Sequence, residues 1–442
     1  MFSAIGRIFS TPDLRRKIGF TLLIVALFRL GSQIPAPFVD YQNVQLCLAS
    51  GSATGGLYDL INLFSGGALL SLSIFALGIM PYITASIIVQ LLRVVIPHFE
   101  TLYKEGQAGQ AKLTQYTRYL TIGLGLIQST TLITVARNGQ LFPSGVAECT
   151  ELLAFGEVAD WAAMLLMVIT MTAGTGLIMW LGELITERGI GNGMSLLIFT
   201  SISATFPSAL WAIQVSRGWE IFLLVLAVGI VIVGAVVFVE QSQRRIPVQY
   251  AKRMVGRRTY GGNNTYIPIK VNMAGVVPVI FASSLLYLPA LIAQFNQPAA
   301  GEAPADWVVW IQNNLVSGDS WVYMLVFFFL IIGFTYFYVA ITFNPEEVAD
   351  NMKKYGGFIP GIRAGRPTAE YLDYVLTRVT LPGSLYLGVV ALIPLAALAT
   401  IGANQNFPFG GTSLLIIVGV GLETVKQIDS QLQQRHYEGL LR

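Results

Sequence analysis

The stretch SIFALGIMPYITASIIVQLLRVV occupies residues 73–95 and carries one charged side chain, Arg93. A helix rises about 1.5 Å per residue, so this stretch is long enough to cross the roughly 30 Å hydrocarbon core of a bilayer. Similar apolar stretches recur along all 442 residues, of which 54% are hydrophobic and only 12% are charged. Soluble proteins carry about 25% charged residues. The sequence therefore predicts a helical membrane protein.

We expect ten spans, and an even number places both termini on the same side of the membrane. The chain is then an all-α, polytopic membrane protein that forms a single channel-like domain over residues 1–442. The predicted spans are 18–35, 73–95, 116–135, 160–182, 193–212, 219–239, 272–294, 321–343, 379–399 and 410–427.

The positive charges assign both termini to the cytoplasm. In that orientation Arg137 and Arg217 lie outside and Arg29 lies within the first span, while the other 24 of the 27 Lys and Arg residues face the cytoplasm. Membrane proteins concentrate Lys and Arg on the cytoplasmic side. Arg29 is either a functional intramembrane charge or a side chain that snorkels or caps a neighbouring helix. Cys47 and Cys149 fall in outer loops, where a disulfide is permitted, but the sequence leaves their pairing open.

The spans suggest two pseudo-symmetric, inverted halves of five, residues 1–213 and 214–442. The second half contains two large cytoplasmic loops, 241–271 and 344–377. In the first half, residues 51–73 are too short and too rich in glycine to cross the membrane. We expect a re-entrant half-helix there, because irregular backbone at membrane depth must be buried in protein or line a cavity.

No motif for catalysis is present. The sequence contains no nucleotide-binding glycine loop and no His-Glu-x-x-His motif, and its two histidines and two cysteines suit no metal cluster. We therefore predict no enzyme activity, no cofactor and no metal site. The alternative function is a ten-span secondary transporter of a small solute. Buried carboxylates or histidines would favour it, but the interior polar residues are mainly amides and hydroxyls, including Gln90, Gln128, Ser283, Ser284 and Asn404.

The loop 241–271 is strongly basic, with seven Lys or Arg residues and no acidic one. Its segment Tyr260-Gly261-Gly262-Asn263-Asn264 predicts the turn of a projecting hairpin. The charge exceeds what membrane orientation requires, so we expect the loop to bind RNA phosphates or an acidic protein.

Several motifs resemble the SecY/Sec61-alpha family of protein-conducting channel subunits. Ile74 to Ile83, followed by Ala85-Ser86-Ile87-Ile88, resembles the second span of that family. The other matching blocks follow in the family's order: 187–193, 243–253, 271–278, 361–371 and 410–416.

This resemblance implies roles for particular residues. It makes Leu57 to Leu70 a plug, and Met194 stands where the family usually has isoleucine. The implied pore ring is Ile79, Ile83, Met194, Ile198, Ile280 and Ile416; the plug residues are Leu57, Leu60, Ile61, Leu63 and Phe64; the lateral gate residues are Gln90, Gln128 and Ser284; and the partner-binding residues are Arg244, Arg245, Lys252, Arg253, Arg257, Arg258 and Arg363.

The resemblance also implies a mechanism and partners. Unfolded preproteins with signal sequences pass a plugged, apolar constriction, and hydrophobic segments leave sideways into lipid between spans 2 and 3 and spans 7 and 8. SecE-like and SecG-like subunits, the SecA motor ATPase and the ribosome are the expected partners, with membrane lipid, anionic lipid included, but no DNA. ATP or GTP hydrolysis is left to these partners, and the expected location is the bacterial inner membrane.

Overall fold

The computed structural model describes residues 11–49, 65–137, 141, 152–154, 159–250, 253–255, 258–260, 265–295, 305–316, 320–401 and 411–438. These residues are mostly helical. The helices are α1 (Pro12–Gly31), α2 (Tyr41–Ala49), α3 (Met80–Val95), α4 (Pro97–Lys104), α5 (Gln107–Arg137), α6 (Asp160–Arg188), α7 (Gly193–Gln241), α8 (Val277–Phe295), α9 (Asp306–Ile311, followed by a π turn over Gln312–Val316), α10 (Trp321–Thr342), α11 (Pro345–Lys354), α12 (Arg366–Ile401) and α13 (Gly411–Glu438).

Helix α7 is two helices joined at a bend. Gly218 has φ 82° and ψ 177°, a conformation that a residue with a Cβ rarely adopts. The bend separates the predicted fifth span from the predicted sixth. A second break separates α3 from α4, which meet at an angle of 100° at Pro97.

By length and composition, five helical stretches in the described residues can cross a membrane: Gln107–Arg137, Asp160–Arg188, Gly218–Gln241, Trp321–Lys354 and Arg366–Ile393. The bent pair α3–α4 would make six, and Gly193–Ser208 and Val277–Leu286 are shorter apolar helices. A helix overlaps each of the ten predicted windows. Length and composition alone nevertheless support a several-span membrane protein rather than a count of ten.

The predicted second span is helical over only part of its window. Residues 66–79 form turns, and the helix begins at Met80 with Pro81 in its first turn. Gly66, Gly67 and Gly78 have positive φ within this segment, and Leu72 does as well. Of these, Gly78 lies between residue 73 and Met80, and its left-handed backbone prevents a continuous helix from residue 73.

Five short strands make the chain less purely helical than predicted. Strands β1 (Gln243–Tyr250), β4 (Thr265–Lys270) and β5 (Gly357–Phe358) form one antiparallel sheet, and β2 (Arg253–Val255) pairs with β3 (Arg258–Tyr260). Val255 lies opposite Arg258, so the chain reverses before Tyr260. The predicted hairpin is present, whereas residues 261–264 of the predicted turn lie outside the described residues.

The apolar core has two main parts. The first contains buried residues from Ile24 to Ile202, together with Phe281, Ile416 and Val420. The second is built from residues between Val225 and Val418. A smaller core under the sheet joins β1 and β4 to α11 and α12.

Candidate functional site

The six residues of the predicted pore ring all belong to the first apolar core. Five are buried, with exposed fractions of 1–9%, and Ile280 is partly buried against them. They come from four separate segments of the chain, at the starts of α3, α7 and α8 and in α13. The structure thus places all six in one extended apolar core, together with many other residues: Ile79, Ile83, Met194, Ile198, Ile280 and Ile416.

Local backbone contacts set the positions of the first four. Ile79 precedes α3, and its carbonyl oxygen accepts a hydrogen bond from the backbone nitrogen of Ile83 at 3.1 Å. At the start of α7, the Asn192 side chain accepts from the backbone nitrogen of Met194 at 3.1 Å and caps the helix. Ile198 follows one turn later, so it shares a helix face with Met194.

Two glycines allow α7 to approach α6 closely. A Cβ on Gly193 would lie 1.9 Å from the carbonyl oxygen of Gly182, and a Cβ on Gly182 would lie 2.5 Å from the Met194 sulfur. Gly193 has no room for a larger residue, whereas a larger residue at Gly182 would require the flexible Met194 side chain to move. The thioether of Met194 therefore packs directly on the α6 backbone.

Arg29, the charge within the first predicted span, anchors a turn beside this core. Its Nη1 donates to the carbonyl oxygen of Gly66 at 3.0 Å. Gly66 has φ 70°, and a Cβ there would lie 2.6 Å from Arg29 Nη1 and 3.2 Å from the Ser201 backbone. Of the two sequence interpretations, the structure favours a cap, although the capped group is a turn rather than a helix.

The predicted plug lies largely outside the described residues, and so do Leu57, Leu60, Ile61, Leu63 and Phe64. Its last part, Ser65 to Leu70, is described. Ala68, Leu69 and Leu70 are buried there, with exposed fractions of 0–6%. The Ser65 hydroxyl accepts a hydrogen bond from the backbone nitrogen of Leu69 at 3.1 Å.

The three predicted lateral gate residues lie on three helices that pack together, since α8 contacts both α3 and α5. Gln90 donates to Ser86 of its own helix at 3.3 Å. Gln128 and Ser284 are buried, and the Ser284 hydroxyl oxygen has no hydrogen-bond partner among the described residues. In this part of the chain, no hydrogen bond joins any two of the three.

Those of the predicted partner-binding arginines that are described lie on the strands or close to them. Arg244 and Arg245 are exposed on β1, and Arg245 lies over the Tyr266 ring at 4.8 Å. Strand β1 of the loop 241–271 pairs with β5 of the loop 344–377, so the two large loops are joined. Arg363 is exposed five residues after the end of β5. Arg253 lies in β2 and Arg258 in β3, while Lys252 and Arg257 fall outside the described residues.

Cys47 is disulfide-bonded, and its side chain is 1% exposed. The other cysteine of the chain is Cys149, which lies outside the described residues. The helix that carries Cys47, α2, is capped by Asp40, whose Oδ1 accepts from the backbone nitrogen of Gln42 at 3.0 Å.

Comparison with known sequences decides the family, because the sequence model of SecY matches residues 73–425. The chain belongs to the SecY family. It is 66% identical, over the full length of both chains, to the protein translocase subunit SecY of Streptomyces coelicolor (strain ATCC BAA-471 / A3(2) / M145). The resemblance stated from the sequence is therefore confirmed.

Solved structures share the fold. One is a SecY structure in which the plug domain stabilises the closed state of the translocation channel. It aligns with a TM-score of 0.61 and 18% identity, and the alignment covers 93% of this chain and 91% of that one. Sec61 in the canine ribosome-channel complex aligns with a TM-score of 0.57 and 18% identity, over 93% and 91% of the two chains. At these identities the likeness establishes the SecY fold alone.

Two polar pairs in this member of the SecY family could not be predicted from the sequence. Arg118 and Glu183 form an ion pair between α5 and α6, and Asn272 donates to Glu240 at the start of α8. Each pair includes an acidic residue near a predicted span end, and this residue was the only signal in the sequence that could have pointed to the contact. Their partners are far away in sequence, so spacing could not reveal either contact.

Proposed function

We propose that this chain is the channel-forming subunit of a protein translocase and that unfolded preproteins cross the membrane through its apolar ring. The observation that carries the proposal is that six apolar side chains from four chain segments belong to one apolar core. An apolar constriction blocks ions by dewetting, and it imposes no fixed polar geometry on a passing chain. Such a ring can seal the closed channel and still accept varied sequences.

We propose ten spans in two inverted halves, 1–213 and 214–442. The overlap of a helix with each predicted window supports the count, and the bend at Gly218 supports separate fifth and sixth spans. The division of the apolar core into two main clusters supports the two halves. Both termini are then cytoplasmic, and the location is a bacterial cell membrane.

The plug is residues 57–70, and the lateral gate lies between spans 2 and 3 and spans 7 and 8. Leu69 and Leu70 are buried in the first apolar core, which also contains the predicted pore ring, and this supports a plug that closes the channel at rest. The contacts of α8 with α3 and α5 support a gate between those helices. Hydrophobic signal sequences would leave through it into lipid.

We propose that energy and docking come from partners. The exposed arginines Arg244, Arg245 and Arg363 on one joined surface would bind the motor ATPase SecA or ribosomal RNA phosphates. Sec61 relatives are known in ribosome complexes, which favours the ribosome as one partner. SecE-like and SecG-like subunits complete the proposed assembly. The comparisons give no support to the small-solute transporter.

The function is tested in vesicles that contain the chain with SecE-like and SecG-like subunits. With SecA and ATP, a radiolabelled preprotein should become protected from added protease only in vesicles that contain this chain. Protection without it, or ATP-independent uptake of small solutes with no preprotein transport, would contradict the proposal.

Docking is tested separately with Arg363→Glu. We expect SecA affinity and translocation to fall together by at least tenfold, because one exposed cation is replaced by an anion. Arg366→Glu is the matched control, since Arg366 is exposed nearby but pairs with Glu370 of its own helix. Lost translocation with normal SecA binding would overturn the docking role of Arg363.

A further inference from the structure

The start of α8 is fixed to two neighbouring elements. The Nδ2 of Asn272, a residue that is 3% exposed, donates both to Glu240 Oε1 at the end of α7 and to the carbonyl oxygen of Gly275 at 3.1 Å. The backbone nitrogen of Val271 donates to the carbonyl oxygen of Ser242 at 3.0 Å. One side chain thus connects the end of one predicted span to the start of the next.

Helix α12 packs on the same point. A Cβ on Gly383 would lie 2.3 Å from the carbonyl oxygen of Val271 and 3.7 Å from the Cα of Asn272. The α12 backbone therefore prevents residues 271–272 from shifting sideways. Between this fixed point and the first residue of α8, Gly275 has φ 60°, a left-handed conformation that permits a change of direction.

The polar groups around Asn272 are incompletely paired. The Oδ1 of Asn272 and the hydroxyl of Tyr386 are buried with no hydrogen-bond partner among the described residues. Lys270 and Lys426 supply positive charge around Glu240. A buried polar atom without a partner is costly, so the polar contacts of this conformation leave room for an alternative one.

We infer that Asn272 is the pivot of α8 and that Glu240, through its hydrogen bond with Asn272, holds the helix at its closed angle. This inference rests on the proposed lateral gate, in which α8 is one wall. Helix α8 is about 28 Å long at 1.5 Å per residue, so a rotation of about 10° at its start moves its far end by about 5 Å. Asn272 and Glu240 are positioning residues, since neither is proposed to touch the preprotein.

The pivot is tested by a distance measurement between spin labels on Thr134→Cys of α5 and Ile292→Cys near the far end of α8. Both side chains are exposed. The disulfide of Cys47 does not react with thiol labels and stays in place. Asn272→Asp removes the donor and places two carboxylates together, and Glu240→Leu removes the acceptor. Glu240→Gln keeps an acceptor oxygen, and Glu423→Leu, an exposed carboxylate on α13, is the matched control.

We expect a signal peptide to change the label distance in the parent chain by about 4–5 Å, the far-end displacement of a 10° rotation. Without peptide, Asn272→Asp and Glu240→Leu should already show the changed distance and should export a preprotein with a defective signal at least tenfold better. Glu240→Gln and Glu423→Leu should match the parent chain. If Asn272→Asp does not fold, Glu240→Leu tests the same hydrogen bond by the same two measurements.

Two negative results have different meanings. A parent chain whose label distance does not respond to signal peptide would overturn the proposed gate itself. A responsive parent with unchanged resting distances in Asn272→Asp and Glu240→Leu would overturn the pivot and leave the gate intact.

Discussion

Arg118 on α5 forms a two-pronged ion pair with Glu183 on α6. The Nε donates to Oε1 at 3.0 Å and the Nη2 to Oε2 at 2.6 Å, while Nη1 donates to Gln115 at 3.1 Å. The Glu183 side chain is only 17% exposed. Charge-assisted, two-pronged bonds are stronger and more directional than single neutral ones. The pair therefore fixes the predicted third and fourth spans to each other.

A double-mutant cycle on this pair should give a clear coupling energy. We expect Arg118→Leu and Glu183→Gln to couple by about 1–2 kcal/mol in thermal unfolding, because Glu183 is mostly shielded from water while Arg118 is partly exposed. The control pair is Arg366 and Glu370, whose side chains are 90% and 67% exposed. That pair should couple by no more than about 0.5 kcal/mol. Equal coupling in the two pairs would contradict the structural role.

Arg29→Leu should make the resting channel leak. A hydrogen bond from a charged donor contributes about 1.5–3 kcal/mol, which corresponds to roughly ten- to hundredfold in the population of the undocked turn. We expect at least a tenfold faster dye efflux from vesicles, with Arg29→Lys between Arg29→Leu and the parent. Arg16→Leu, at an exposed position of the same helix, is the control. Unchanged efflux in Arg29→Leu would show that its bond to Gly66 does not maintain the seal.

Gly174→Ala should destabilise the fold because its methyl group would collide with the segment that precedes Ile79 of the predicted pore ring. A Cβ on Gly174 would lie 2.2 Å from the carbonyl oxygen of Ile74, and overpacking of this kind costs about 1–3 kcal/mol. Gly123→Ala is the matched control, since a Cβ there meets nothing within 4 Å. It should be neutral or stabilising by up to about 1 kcal/mol. Melting curves in detergent measure both, and a smaller loss in Gly174→Ala than in Gly123→Ala would refute the packing argument.

Cys47 should resist thiol labelling until the protein is both reduced and unfolded, because it is disulfide-bonded and buried. Peptide mapping without reductant should recover Cys47 linked to Cys149, the only other cysteine in the sequence. Cys47→Ser should lower the melting temperature, since loss of a native disulfide typically costs about 2–5 kcal/mol in small secreted domains. Labelling of Cys47 in the native, unreduced protein would contradict this prediction.

The helices were predictable because each depends on a local apolar run. Every predicted window overlaps a helix, although the second begins at Met80 instead of residue 73 because left-handed residues precede it. The hairpin of the basic loop was also predicted, but the pairing of that loop with residues 357–358 was missed for the opposite reason. Pairing of Gln249 with Phe358 joins residues far apart in sequence, and no local pattern encodes it.

The candidate site was predictable only through family motifs. Each ring residue alone looks like any core or lipid-facing aliphatic residue, and the structure adds that all six share one core. Long-range polar contacts could not be predicted. The bonds from Arg29 to Gly66 and from Asn272 to Glu240 depend on how the helices pack.

The measurement that tests the central proposal most directly is crosslinking of a stalled preprotein to single cysteines at Ile83, Ile198, Ile280 and Ile416. The native disulfide of Cys47 remains in place, and Ile169→Cys, at an exposed isoleucine of α6, is the control. A preprotein that passes through the apolar ring should crosslink to all four positions and not to the control. An engaged preprotein that crosslinks to none of the four, or equally to Ile169→Cys, would contradict a central polypeptide channel.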